Sequence, residues 1–284
     1  MTNIITLLTD FGIDDEYVGV MKGVILSINP DAKIIDITHR IDPQDMIQAA
    51  YAIDSAYEYF PEGTVHVVVV DPGVGSDRSI LAVRTEKYVF LAPDNGVLTL
   101  ALNHENISGT ETAEVIRVDN SAYPFLQDGY KTGLNSVSQT FHGRDIFAPV
   151  AAHVSKGVEI SRLGMPAEQN ELTRLDIPRP YISDDELFGK IVWPDSFGNL
   201  MTNIDMKSLE AFCKGEIKKR LEIHIEKYKI RGLSESYASV KSGEPLAIMG
   251  SRGYLEISVN CGNAGVYFMA GKGDDIRISK VSAD

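Results

Sequence analysis

Ile4-Ile5-Thr6-Leu7-Leu8-Thr9-Asp10-Phe11-Gly12 is a short apolar run that stops in a polar turn. A run of this length bounded by turn residues reads as a buried strand. Downstream, from Asp15, Val18, Met21, Val24, Ile25 and Ile28 recur at helical spacing, and Asn29-Pro30-Asp31 ends that helix. Lys33-Ile34-Ile35-Asp36-Ile37 reads as the next strand. Asp42-Pro43-Gln44-Asp45 is expected to open a second helix through Tyr57, with Asp42 as its N-cap. Pro61-Glu62-Gly63 breaks it, and Thr64 to Val70 is a continuous apolar strand of the kind found where both faces are covered. Strand, helix, strand, helix, strand predicts an α/β N-terminal domain with a mainly parallel sheet. Ligands gather at the carboxyl ends of such strands. That rule singles out Asp10 and Asp71, each closing a strand.

The pattern changes after the helix expected over Phe147 to Val154. Leu172 to Asp185 carries Pro178, Pro180 and an acidic cluster, a linker-like shift in composition. Short β segments follow at Leu187–Val192, Leu221–Ile225, Pro245–Met249, Tyr254–Val259 and Asp275–Ile278. They predict a smaller all-β, barrel-like C-terminal domain. The expected domains are 1–180 and 181–284.

Composition narrows the function classes. The 284 residues carry a net charge of −13, from 40 acidic against 27 basic side chains, which repels a phosphate backbone. Lys218-Lys219-Arg220 and Lys227 to Arg231 are short, mixed with Glu222 and Glu226, and read as a solvated face. No nucleic-acid partner is expected. Cys213 and Cys261 stand far apart without a Cys-x-x-Cys spacing, which argues against a disulfide framework or a cysteine zinc site. The first ten residues lack a basic segment and reach Asp10 early, and the strongest apolar run, Val65 to Val70, is too short to span a bilayer. A cytoplasmic protein without a membrane partner is expected.

Five motifs can carry chemistry. In Thr9-Asp10-Phe11-Gly12-Ile13-Asp14-Asp15, a carboxylate at a strand end can accept from both hydroxyls of a diol, or hold an ammonium or a metal. Equally, Asp14 and Asp15 suit a helix N-terminus, where negative charge is favoured. Asp71-Pro72-Gly73-Val74-Gly75-Ser76-Asp77-Arg78 makes a tight loop that can return the guanidinium to the carboxylate. It lacks the Lys-Ser/Thr of a phosphate-binding loop, and its plain reading is a glycine turn. In Thr140-Phe141-His142-Gly143-Arg144-Asp145, His142 sits just ahead of a helix start and can project into a cleft, although a single His is more often structural. Asp195-Ser196-Phe197-Gly198-Asn199 offers a ring for stacking and an amide for pairing with a base edge, or simply an Asx turn with a core Phe. In Gly250-Ser251-Arg252-Gly253-Tyr254-Leu255-Glu256-Ile257-Ser258-Val259-Asn260, Ser251 and Glu256 suit the two ends of a zwitterion, or an ordinary half-exposed strand. Alternation there puts Tyr254, Glu256 and Ser258 on one face.

In this order, nearly from end to end of the chain, the five motifs resemble the S-adenosyl-L-methionine (SAM) hydroxide adenosyltransferases, relatives of the SAM-dependent fluorinase and chlorinase. The resemblance implies hydrolysis of SAM to adenosine and L-methionine, with SAM as substrate, no cofactor and no metal. It implies a homotrimer with each active site between one subunit's N-terminal domain and its neighbour's C-terminal domain. It puts a catalytic set on Asp71, Arg78 and His142, and the ribose diol on Asp10. Phe197 and Asn199 then hold the adenine, with main-chain groups near Val259 and Cys261 reading its edge. Asp15, Asp195, Ser251 and Glu256 surround the methionine end, with Arg252 and Asn95 as further substrate contacts. Asp71 and His142 are expected to orient and deprotonate a water, Arg78 fixing Asp71. The halogenase relatives carry Tyr-Ser where this chain has His142-Gly143, and the fluorinase an insertion after the second motif that is absent between Arg78 and Asn95. Both departures favour water over halide. The alternatives are a chlorinase-like halogenase, a metal-dependent hydrolase using Asp10, Asp14, Asp15, Asp71, His142 and Asp145, and a non-catalytic SAM- or adenosine-binding protein.

Overall fold

A computed structural model describes residues 2–104, 113–119, 137–214 and 221–281, so Lys218-Lys219-Arg220 lies outside the described residues. The chain divides into two compact units, Met1–Leu175 and Asp176–Asp284.

The first unit contains β1 (Ile4–Thr9), β2 (Lys33–Thr38), β3 (Val65–Val69), β4 (Ile80–Arg84), β5 (Val89–Pro93), β6 (Glu114–Val118) and β7 (Gly164–Pro166). They form one sheet in the order β2-β1-β3-β5-β4-β6-β7. The first four strands of that order run parallel, and β4, β6 and β7 extend it antiparallel. Among the described residues, helices α1 (Tyr17–Ile28), α2 (Met46–Asp54), α3 (Thr99–His104) and α4 (Ala148–Ser155) accompany the sheet. Successive strand side chains point to opposite faces, and β1 uses both. Ile5 and Leu7 enter a core with Met21, Val24 and Ile25 of α1 and Val150 and Val154 of α4. Leu8 faces the other way, into a core with Ala49 and Ile53 of α2 and Leu102 of α3. Burial on both sides explains the unbroken apolar run of β3, in which every residue is buried.

The helix starts differ from the sequence pattern. Helix α1 begins at Tyr17, leaving Asp14 and Asp15 exposed in the preceding loop. Asp42 is not the cap of α2. Asp45 N donates to the Asp42 carbonyl at 2.9 Å and Gln44 takes φ +65°, so the chain turns once more before the helix. Asp45 is the N-cap, its carboxylate accepting from Gln48 N at 3.1 Å. Nor does the helix reach Tyr57: it stops at Asp54, and Tyr57–Tyr59 forms a 3₁₀ turn. A π-helical turn, Gly143–Phe147, precedes α4.

The second unit holds β8 (Tyr181–Ser183), β9 (Glu186–Pro194), β10 (Leu200–Asp205), β11 (Leu221–Ile225), β12 (Tyr228–Arg231), β13 (Pro245–Met249), β14 (Tyr254–Val259) and β15 (Asp275–Lys280). Seven run in the order β12-β11-β15-β9-β10-β14-β13, all neighbours antiparallel, and β8 pairs with β9. Just past β12, Ser234 N donates to the Ala247 carbonyl of β13 at 2.8 Å, which nearly closes the sheet into a barrel. Leu187, Ile191, Ile223, Ile257, Ile276 and Ile278 fill it. The short helices α5 (Met206–Cys213) and α6 (Ala264–Phe268) are capped by Asp205 and Asn263. Glu256 and Ser258 of β14, expected on a half-exposed face, are buried. Among the described residues no helix is long and apolar enough to cross a membrane.

Candidate active site

Strand β3 ends one residue short of Val70, and Asp71 follows at its carboxyl end. The chain then loops back into β4 through Gly75, whose φ of +79° and contact with the Gln139 carbonyl leave no room for a side chain. The loop returns Arg78 to Asp71. Arg78 Nε donates to both carboxylate oxygens at 2.8 Å, and Nη2 adds a bond to Oδ2. The same Nη2 lies 2.7 Å from His142 Nδ1. One guanidinium therefore joins a carboxylate and an imidazole that lie 71 residues apart in sequence. All three side chains are largely buried.

That contact fixes the imidazole's protonation. A guanidinium has only donors, so Nδ1 of His142 accepts and the neutral ring carries its proton on Nε2. Burial lowers the His142 pKa, the charge of Arg78 lowers it further, and the charges of Asp71 and Asp145 offset this only in part. The ring is thus neutral at pH 7. Just beyond, Asp145 accepts from Ser138 N at 2.8 Å and from Arg144 Nε at 2.6 Å, tying the approach segment to the π turn that carries His142.

Asp71 and His142 line a pocket of about 660 Å³ with Asp10, Phe11, Tyr17 and Phe141. The three aromatic rings pack against one another with centroids 5.1–5.9 Å apart. Gly143 lies under them: a Cβ there would be 3.0 Å from both Met21 Sδ and the Phe141 ring. Asp10 closes β1 and accepts from Gln44 N at 2.8 Å. Burial raises its pKa, the backbone N–H of Gln44 opposes the rise, and the charge of Asp71 adds to it. Asp15 and Asn95 do not line this pocket. Asp15 is exposed. Asn95 spends its amide within the chain, donating to the Val70 carbonyl at 2.8 Å and accepting from Val97 N at 3.1 Å.

In the second unit, Asp195, Phe197, Asn199, Ser251, Arg252 and Glu256 line a pocket of about 680 Å³, with Val259 and Cys261 also in its wall. Asp195 Oδ1 accepts from Phe197 N and Asn199 N at 2.9 Å, and Oδ2 from Asn199 Nδ2 at 3.0 Å. The segment is therefore an Asx-type turn, yet Phe197 is not a core residue. It stands 78% exposed at the pocket. Arg252 sits over the Trp193 ring at 5.3 Å. Glu256 accepts from the Tyr237 hydroxyl at 2.8 Å, and burial and then this bond push that hydroxyl's pKa up to about 12.

Sequence reasoning missed Tyr237 and Gln44. Tyr237 lies in a 3₁₀ turn with no periodicity to mark it, and Gln44 contributes only its backbone N–H. Among the described residues, no three His, Cys, Asp or Glu side chains converge to hold a metal ion.

Residues 5–164 match the SAM hydroxide adenosyltransferase N-terminal domain family, and residues 189–277 match the C-terminal domain family. A protein of Thermus thermophilus named (R)-S-adenosyl-L-methionine hydrolase is 34% identical over 257 residues, 90% of this chain and 92% of its own. One of the same name from Methanocaldococcus jannaschii is 34% identical over 284 residues, 97% of this chain and 95% of its own. The crystal structure of an uncharacterized conserved protein from Thermotoga maritima superposes with a TM-score of 0.84 at 34% identity, covering 97% of this chain and all of that one. With both units matched and relatives of this similarity along its length, the chain belongs to the SAM hydroxide adenosyltransferase family.

Proposed function

We propose that this chain hydrolyses SAM to adenosine and L-methionine in the cytoplasm, without a cofactor. The observation that carries the reading is that Asp71 and His142, both at the wall of the first unit's pocket, are joined by hydrogen bonds from Arg78. The hydrolase names of the relatives support it.

SAM already carries a sulfonium leaving group, so C5′ is electrophilic without a metal. The enzyme has to hold a water in line with the C5′–S bond. Doing so contributes up to about 7–11 kcal/mol in favourable intramolecular cases. In the proposed step the water oxygen bonds to C5′ while the C5′–S pair leaves with sulfur as the thioether of methionine. The oxygen becomes strongly acidic as its bond to carbon forms, so a carboxylate suffices to take its proton. We assign that proton to Asp71. Arg78 occupies some of its lone pairs, but a carboxylate has about four acceptor sites. Nδ1 of His142 is engaged by Arg78 and Nε2 carries hydrogen, which gives His142 an orienting role. Gly143 supplies no hydroxyl to hold a halide, and a Cβ there would press on Met21 and Phe141, which favours water as nucleophile.

The remaining roles follow substrate chemistry. Asp10 accepts from the ribose diol. Phe197 and Tyr237, the aromatic side chains of the second pocket, suit the faces of adenine, with Asn199 and the backbone near Val259 and Cys261 at its edge. Asp195, Ser251, Arg252 and Glu256 suit the zwitterion of methionine, with Asp15 as an outer contact. Asn95 is assigned to holding the end of β3 instead. A homotrimer with shared sites, and domains 1–180 and 181–284, complete the proposal; no nucleic-acid or membrane partner is part of it.

Incubation with SAM, followed by chromatography of the products, tests the reading. Adenosine and methionine should form equally with and without chloride, and after exhaustive chelation. 5′-Chloro-5′-deoxyadenosine would move the chain to the halogenase branch. Loss of activity on chelation would favour a metal, and SAM recovered intact a binding protein.

A further inference from the structure

One imidazole at the carboxyl ends of β1 and β2 makes contacts that the proposed chemistry leaves unused. His39 is only 6% exposed. Its Nδ1 lies 2.9 Å from Thr9 Oγ1, and its carbonyl accepts from Gly12 N at 2.8 Å. Thr9 Oγ1 in turn accepts from Phe11 N at 3.2 Å. His39 thus grips the turn on both sides of Asp10, by its ring through Thr9 and by its backbone through Gly12. On the far side, its Nε2 makes a charge contact with Asp36 Oδ1 at 3.1 Å without hydrogen-bond alignment. Lys22 Nζ of α1 holds Asp36 Oδ2 at 2.6 Å.

The Thr9 hydroxyl has one hydrogen and two lone pairs, so its oxygen takes Phe11 N and still shares a hydrogen bond with His39 Nδ1, whichever of the two donates. Loss of either member of this buried Thr9–His39 bond leaves a polar atom of the other unpaired. Between the two anchors, Thr9 and Gly12, stands Asp10, whose Oδ2 takes Gln44 N from the β2–α2 connection.

We infer that His39 is a positioning residue that aims the Asp10 carboxylate, and that it thereby sets a preference for ribose over 2′-deoxyribose ligands. The inference rests on the proposed reading of Asp10 as the acceptor of the ribose diol. His39 itself touches no substrate. Its effect is read through the 2′-hydroxyl alone.

The test is calorimetric titration of adenosine and of 2′-deoxyadenosine into the wild type and into Asp10→Ala, His39→Leu, His39→Asn and Thr9→Val. The ratio of the two dissociation constants does not depend on the fraction of protein that is folded. A hydrogen bond to a charged acceptor implies a wild-type preference for adenosine of about tenfold or more. Asp10→Ala should erase it. His39→Leu and Thr9→Val should bring it most of the way to unity. His39→Asn, whose amide takes the place of Nδ1 and offers Thr9 Oγ1 both a donor and an acceptor, should retain most of it. Where His39→Leu fails to fold, the near-isosteric Thr9→Val decides. Full preference in His39→Leu and Thr9→Val, with loss in Asp10→Ala, overturns the inference and leaves the reading of Asp10 standing. A preference that survives Asp10→Ala overturns both.

Discussion

Arg78 is the residue on which the first pocket's chemistry turns, because its guanidinium bonds to both Asp71 and His142. A lysine there is a point charge on a flexible stem and cannot span two acceptors with a planar fork. Arg78→Lys should lower kcat about 10²-fold or more, the range of a misplaced acid–base group, with SAM affinity within about threefold of wild type. Single-turnover kinetics beside equilibrium titration separate the two. The pH profile follows from two displaced carboxyl and imidazole groups. His142 protonates below its ordinary 6.5, and doing so removes the acceptor that Arg78 needs. Asp10 protonates above its ordinary 3.8 and then loses acceptor strength toward the diol. kcat/KM should therefore stay level as pH falls through 6.5 and decline between there and 3.8. A decline already complete at pH 6.5 would count against the neutral, Arg78-bound imidazole. Asp71, Arg78 and His142 were legible in sequence because glycine turns and helix starts are local signals. The pairing of Nη2 with Nδ1 was not, since it joins segments that only folding brings together.

Capping and burial decide matters at the level of the element. Asp42 and Asp45 look alike in sequence, and choosing between them required the left-handed Gln44, which local composition does not announce. Asp45→Ala should cost about 1 kcal/mol of stability, the usual value of a lost N-cap, whereas Asp42→Ala should cost well under half that; urea unfolding measures both. The π turn before α4 was equally hidden, because its irregular step leaves the apolar pattern of Ile146, Phe147 and Val150 intact. On β3, His66 is fully buried among Tyr57, Phe60, Tyr88 and Phe90, with Nδ1 on Thr6 Oγ1 at 2.8 Å. Burial pushes its pKa down from 6.5 to about 3. The unfolded chain therefore binds a proton between those values that the folded chain refuses. The stability this neutral ring allows is complete above pH 6.5 and is lost as pH falls toward 3, at up to about 1.4 kcal/mol per pH unit. His66→Phe should flatten that limb in unfolding measured at pH 7 and pH 4.5; an unchanged slope would assign it to carboxylates.

For the whole molecule, the two periodicities of the sequence carried far. The 3.6-residue pattern of α1 and the doubly buried runs of β1 and β3 announced an α/β unit. The short alternating runs after residue 186 announced a β unit. The antiparallel extension of the first sheet was less legible, because β4 is apolar up to Arg84 and an apolar run does not disclose its direction. Strands β10 and β12 escaped notice for a related reason: Asn203 and the charged residues of β12 mask their alternation. Hydrolysis of SAM leaves an oxygen from solvent on C5′ of the nucleoside. SAM turned over in water enriched in oxygen-18, with mass spectrometry of the products, should give adenosine carrying one heavy oxygen at its 5′-hydroxyl and free methionine carrying none. Unlabelled adenosine, label in methionine, or a nucleoside with no 5′-hydroxyl would rule out attack by water on C5′.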